Sequence, residues 1–212
     1  MGHKEEQQHH RPRQAPRVLN ANGHNNGHSS LLLFMRGFLK HPNMVGWMLP
    51  SSRFLVEEVL KRVDWNRARV IVEYGPGLGA FTAALLQRMR PDAKLIAVET
   101  NVEFVRFLQR SIPDDRLQVV HASATDIDRV LERLGCLQAD YVISGIPFRP
   151  MPHPLRDAIV RKTHSVLRPR GTFLVYQFSS AALPYLERVF GHVSRGFELL
   201  NILPAQLFCC AR

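Results

Sequence analysis

Two stretches of this 212-residue chain combine residue types that chemistry uses. In VIVEYGPGLGAFT, Glu73, Tyr74, Gly75, Gly77 and Gly79 stand between a β-rich run and a helix-forming one. Glycines at such a turn let backbone approach a ligand closely, and a helix start near Ala80 offers N–H groups without intrahelical partners. Glu99 follows Gly79 by 20 positions, closing the next β-rich run, with Thr100 after it. Glycine turn, helix start and a carboxylate at that interval together point to a nucleotide-like cofactor. The second stretch, SGIPFRPMP at 144–152, leaves the apolar run DYVI as a proline-rich turn carrying Ser144, Gly145, Pro147, Phe148 and Arg149, with His153 next.

The elements that must position these groups alternate from residue 69 onward. ARVIVEYG, AKLIAVET, LQVVHAS, ADYVISG and GTFLVYQF read as strands; AFTAALLQRM, EFVRFLQRS, DIDRVLERL and PLRDAIVRKTHSVL between them read as helices. That alternation is the pattern of a doubly wound α/β sheet. After a further helix near ALPYLERVF, the segment FELLNILPAQLFCCA reads as two strands joined through a turn at Pro204, which brings the strand count to seven. Ahead of the sheet, PSSRFLVEEVLKRV at 50–63 reads as a surface helix that Ser51 or Ser52 caps. SSLLLFMRGFLKHP, just before it, is a short apolar helix with Arg36 and Lys40 at its edge, suited either to core packing or to a membrane surface. Residues 1–30 are polar and rich in His, Gln and Asn, too poor in apolar groups to form a core. The expected organisation is therefore a disordered tail (1–30), N-terminal helices (31–63) and a cofactor-binding domain (64–212).

Lys and Arg number 28 against 18 Asp and Glu, a net charge of +10 that attracts polyanions such as RNA or an anionic membrane. No apolar run approaches the roughly 20 residues of a spanning helix. Cys136, Cys209 and Cys210 have neither metal-ligand spacing nor a disulfide framework, so a reducing, cytoplasmic setting and no metal are expected.

GPGLG preceded by Glu73 differs from the dinucleotide pattern GxGxxG and resembles the E/D-x-G-x-G-x-G motif of S-adenosylmethionine-dependent methyltransferases. The parallel sheet closed by a terminal hairpin is likewise similar to class I methyltransferases. By that resemblance the glycine loop lies along the methionine end of S-adenosylmethionine, Glu73 helps to hold its ammonium, and Glu99 takes the ribose hydroxyls. Ser51 and Ser52 stand where related enzymes contact the methionine end. In HASATD, Ser123 replaces the Asp that RNA adenine dimethylases use for the cofactor's adenine, leaving Ser123 and the backbone of Ala124 for that contact.

The same resemblance bears on the acceptor. Adenine methylases use an Asn or Asp before the proline and an aromatic that stacks on the extruded base. Here Gly145 occupies the Asn position, and SGIPF with PSSRFL is instead similar to bacterial phospholipid N-methyltransferases of the phosphatidylethanolamine type, over residues 31–212. The implied reaction is methylation of a lipid amine, phosphatidylethanolamine toward phosphatidylcholine, by an enzyme lying on the inner face of the cell membrane through residues 31–42. Ornithine lipid is a close variant; an RNA adenine N6-methyltransferase and a cofactor-binding protein without catalysis are the other readings. An alkyl amine with a pKa of about 10.4 must lose a proton before attack, and His153, Tyr74 and Tyr176 are candidate acceptors. Phe148 would shape the pocket, and Arg53 and Arg149 would meet the head-group phosphate.

Overall fold

A computed structural model describes residues 53–198 and 204–212. The elements run α1 (Arg53–Leu60), β1 (Val70–Tyr74), α2 (Ala80–Arg88), β2 (Lys94–Glu99), α3 (Val102–Ser111), β3 (Leu117–His121), a 3-10 turn (Ala124–Asp126), α4 (Ile127–Arg133), β4 (Ala139–Ser144), α5 (His153–Val166), β5 (Leu167–Gln177), α6 (Leu183–Phe190), β6 (Val193–Glu198) and β7 (Ala205–Ala211). The strands form one sheet in the order β3, β2, β1, β4, β5, β7, β6. All pairings are parallel from β3 through β5; β7 enters antiparallel between β5 and β6. This is the seven-strand α/β sheet with a C-terminal hairpin that the alternation predicts.

β1 is buried on both faces because helices cover both. Val72 and Tyr74 pack with Ile127 of α4, Ile159 of α5 and Leu186 of α6. Ile71, on the other face, packs with Leu55 of α1 and Leu85 of α2. From β1 the chain moves to β2 on one side and later returns to β4 on the other. That reversal between β1 and β4 is the switch point at which α/β sheets place a ligand crevice, outside the C-terminal ends of the strands.

Just past the end of α1, the Asp64 N–H donates to Tyr141 Oη (3.0 Å) near the start of β4. The buried Leu55, Val56, Val59 and Leu60 make α1 part of the sheet's own core. The expected tail and the basic apolar segment at 31–42 lie outside the described residues, as do Ser51 and Ser52.

Two strand limits differ from expectation. β5 begins at Leu167, directly after α5, where the apolar run suggested Gly171; its irregular pairing with β4 passes through Arg170 at φ 65°. β6 begins at Val193, where the apolar run suggested Phe197. It is the sheet's edge strand, with Ser194, Arg195 and Phe197 all exposed, so it lacks the apolar run that marks a buried strand.

Candidate active site

The glycine loop joins β1 to α2. Gly75, Gly77 and Gly79 have φ of 69°, 55° and 84°, all left-handed, which explains why the stretch has no larger residues at those places. Gly75 is further confined: a Cβ there would come within 2.7 Å of Ile146 Cγ2, from the loop after β4. A Cβ on Gly77 would meet nothing within 4 Å. The loop is thus pressed against its neighbour at one glycine and open toward the crevice at another.

Glu99, at the end of β2, is buried beside this opening. Its Oε2 accepts from the Gly77 N–H (3.3 Å) and its Oε1 from the Asn101 N–H (2.8 Å). Exposed Thr100 adds a longer contact from Oγ1 to the same Oε1 (3.4 Å). A carboxylate fixed in this way keeps lone pairs for two neighbouring hydroxyls. Glu73 lies beneath the loop, buried, accepting from Thr82 Oγ1 of α2 at 2.7 Å. Burial raises its pKa to about 7, the Thr82 hydrogen bond opposes that rise and the negative charge of Glu99 adds to it. Two carboxyl groups flanking a loop with an open glycine suit a ligand whose adjoining end is cationic, and would repel a pyrophosphate.

The loop after β4 crosses the glycine loop at Ile146. Ser144 is fully buried, and its hydroxyl has no protein partner among the described residues. Gly145, with no positive φ, needs to be glycine for space: a Cβ there would strike the Tyr176 phenol, 2.6 Å from Cε2 and nearer still to the hydroxyl oxygen. The Tyr176 ring, from β5, stacks on Phe81 in the first turn of α2, with centroids 4.6 Å apart and planes 14° from parallel. Gln177, the next residue, was not singled out in the sequence. It clamps the loop like a strand backbone, its Nε2 donating to the Ile146 carbonyl (2.6 Å) while Oε1 accepts from the Phe148 N–H (3.2 Å). A buried glutamine at the end of an apolar strand is a readable signal, since buried amides require partners.

Several expected site residues stand elsewhere. Tyr74 points to the opposite face and is sealed in the core, its hydroxyl 3.2 Å from Thr163 Oγ1 of α5. Burial pushes its pKa far up, which removes it as a proton acceptor. His153 is exposed at the start of α5, with Nδ1 bonded to the Tyr185 hydroxyl of α6. That contact holds it on the helix layer across the sheet from Tyr176 and Phe81. Phe148 is 0 % exposed, packed in the core beside Pro147, so its ring walls no open pocket. Arg149 is exposed, and its carbonyl accepts from Arg156 Nη2 (2.7 Å). Arg53 is exposed too, its guanidinium 4.9 Å from the centre of the Phe54 ring. Ser123 caps the 3-10 turn, accepting from Thr125 N (3.2 Å) and Oγ1 (2.8 Å), and Ala124 is buried behind it. Cys210 is buried in β7 and its thiol pKa is raised by that burial, as for an ordinary core residue.

Comparison with known proteins fits this geometry. The profile of the methyltransferase small domain family matches residues 38–198. Over 180 residues the chain is 32% identical to the ornithine lipid N-methyltransferase of Singulisphaera acidiphila, covering 84% of this chain and 94% of that protein. It is 38% identical over 78 residues to ribosomal RNA small subunit methyltransferase A of Bordetella pertussis, covering 37% of this chain and only 28% of that one. In fold it matches 1,6-didemethyltoxoflavin-N1-methyltransferase of Burkholderia thailandensis, solved with its substrate and S-adenosylhomocysteine, at a TM-score of 0.59 and 17% identity over 95% of this chain and 93% of that one. With the open glycine and the two flanking carboxyls as the features that fit S-adenosylmethionine, the chain belongs to the methyltransferase small domain family and is a class I S-adenosylmethionine-dependent methyltransferase.

Proposed function

We propose that the protein methylates the head-group amine of an amino lipid at a membrane surface, with ornithine lipid the first substrate and phosphatidylethanolamine the second. The observation that carries this reading is the make-up of the loop after β4. An adenine methylase needs a side chain before the proline to bond the base's amino group and an aromatic free to stack on the base. Gly145 provides no side chain, and Phe148 is enclosed in the core. The ornithine lipid N-methyltransferase that aligns with most of this chain supports the same class of acceptor.

S-adenosylmethionine supplies the methyl group: the nitrogen lone pair takes the carbon, and the electron pair of the broken C–S bond stays on sulfur. On the protein side, Glu99 and the Gly77 backbone would hold the ribose end, and the buried Glu73 carboxyl lies under the loop that would receive the cationic end. Ile146 and Gln177 fix the acceptor loop over Gly75. The acceptor arrives as an ammonium and loses its proton to water before attack; desolvation as it enters the crevice favours the neutral amine.

The protein works from the cytoplasmic side, with residues 31–42 holding it to anionic lipid. The test is incubation with labelled S-adenosylmethionine and vesicles containing ornithine lipid or phosphatidylethanolamine, with ribosomal RNA in a parallel tube. Label in either lipid is expected, strongest in ornithine lipid; label in RNA alone overturns the reading. Flotation with and without residues 31–42 tests the membrane contact, and undiminished flotation of the shortened chain overturns it.

A further inference from the structure

Gly145 raises a structural question that the lipid reading does not answer. Its backbone has no torsion that requires glycine, yet any side chain there is excluded. The nearest atoms in that excluded volume all belong to the Tyr176 phenol. Register explains how this happens: Ser144 pairs with Val175, which sets Gly145 and Tyr176 next to each other on neighbouring strands. Stacking on Phe81 then holds the ring between the acceptor loop and the first turn after the glycine loop. Tyr176 is half-buried, so its side chain is not sealed in the core. The other titratable candidates lie off this spot: Tyr74 and His153 belong to the opposite layer, and Glu73 is bound to Thr82 under α2.

We propose that Tyr176 is the residue that orients the acceptor nitrogen: its phenol oxygen accepts an N–H hydrogen bond from the substrate amine and thereby turns the nitrogen lone pair toward the cofactor side of the crevice. The inference rests on the lipid-amine reading. A neutral phenol has acceptor lone pairs of its own, so it performs this task without ionising. The oxygen stands where a side chain on residue 145 would begin, but it arrives from β5. Glycine at 145 is then the vacated half of a pair whose other half is Tyr176. The arrangement also explains selectivity: a tetrahedral alkyl amine offers N–H bonds in several directions, whereas a flat base entering the same place meets the stacked Tyr176 and Phe81 rings.

Tyr176→Phe tests this, because it keeps the ring and its stacking and removes only the oxygen. With wild-type protein turning over ornithine lipid, the variant is expected to lose about tenfold to a hundredfold in kcat, the range of one hydrogen bond to a polar reacting group, while its Tm and its affinity for S-adenosylhomocysteine stay within about twofold of wild type. The second readout is equilibrium binding, in the presence of S-adenosylhomocysteine, of two soluble short-chain head-group analogues. The primary-amine analogue is expected to bind the variant about tenfold more weakly. The trimethylammonium analogue, having no N–H, is expected to bind both proteins equally. Unchanged kcat and unchanged primary-amine affinity overturn the inference and leave the lipid reading standing. Equal weakening of both analogues also overturns it, since a general packing defect does not distinguish them. Wild-type protein that methylates no amino lipid overturns the reading beneath it, an outcome visible in the wild-type assay before the variant is tried.

Discussion

The loops after β1 and β4 lie against each other, yet they are built in different ways. The first is made from its own sequence: three left-handed glycines, the helix start they lead into, and one carboxylate from the neighbouring strand. The second is short of chemistry in its own residues and is shaped from β5, by the Tyr176 ring against Gly145 and the Gln177 amide on Ile146 and Phe148. A loop that serves one cofactor can keep its parts local. If the second loop chooses the acceptor, as proposed, that choice is altered by changing residues on another strand, with the glycine-loop chemistry left intact.

The contrast can be broken at either loop. Gly145→Asn, which drives a side chain into Tyr176, is expected to lower turnover by more than about a hundredfold, while calorimetry still detects cofactor binding. Glu99→Ala is expected to show the reverse pattern, weakening S-adenosylhomocysteine about 10- to 100-fold in the same calorimetry, with the Tyr176 side of the crevice unaltered. Gln177→Leu leaves the Ile146 carbonyl and Phe148 N–H without their clamp, and is expected to cost about 2 kcal/mol in chemical denaturation and about tenfold in kcat. If cofactor affinity fell as much as kcat in that variant, the two loops would not be separable.

Glu73 gives a pH-dependent test. Its folded pKa of about 7 lies above the ordinary 4.5, so the folded state binds the proton more tightly than the unfolded chain. Stability from this group is fully present below pH 4.5, falls as pH rises toward 7 and is flat beyond, a total on the order of 3 kcal/mol. Glu73→Gln is expected to gain stability relative to wild type between pH 5 and pH 8; parallel denaturation curves for the two proteins across that range would remove Glu73 as their source. At the small end, Tyr74→Phe is expected to cost about 1 kcal/mol through the lost Thr163 contact, and His153→Ala to leave kcat within about twofold, as surface and core positions should.

How much of this was legible depended on distance along the chain. The strand and helix alternation, the glycine loop and Glu99 are local patterns, and the sheet order follows from parallel crossover rules. The start of β6 escaped because an edge strand needs no apolar run. Tyr74 looked like a site residue because it adjoins Gly75, but alternation along a strand turns neighbours to opposite faces. Gly145 was readable as an absence, whereas the group that fills its space comes from residue 176 and becomes visible only with the register of β4 and β5.

The burial of α1 has a kinetic meaning. Leu55, Val56, Val59 and Leu60 fix the helix in the core, so residue 53 is an anchored end for the chain before it. Even fully extended, the link from residue 42 to residue 53 spans at most about 40 Å. On the proposed lipid reading, a lipid captured by 31–42 is kept within that radius of residue 53, and successive encounters depend on local concentration there instead of bulk concentration.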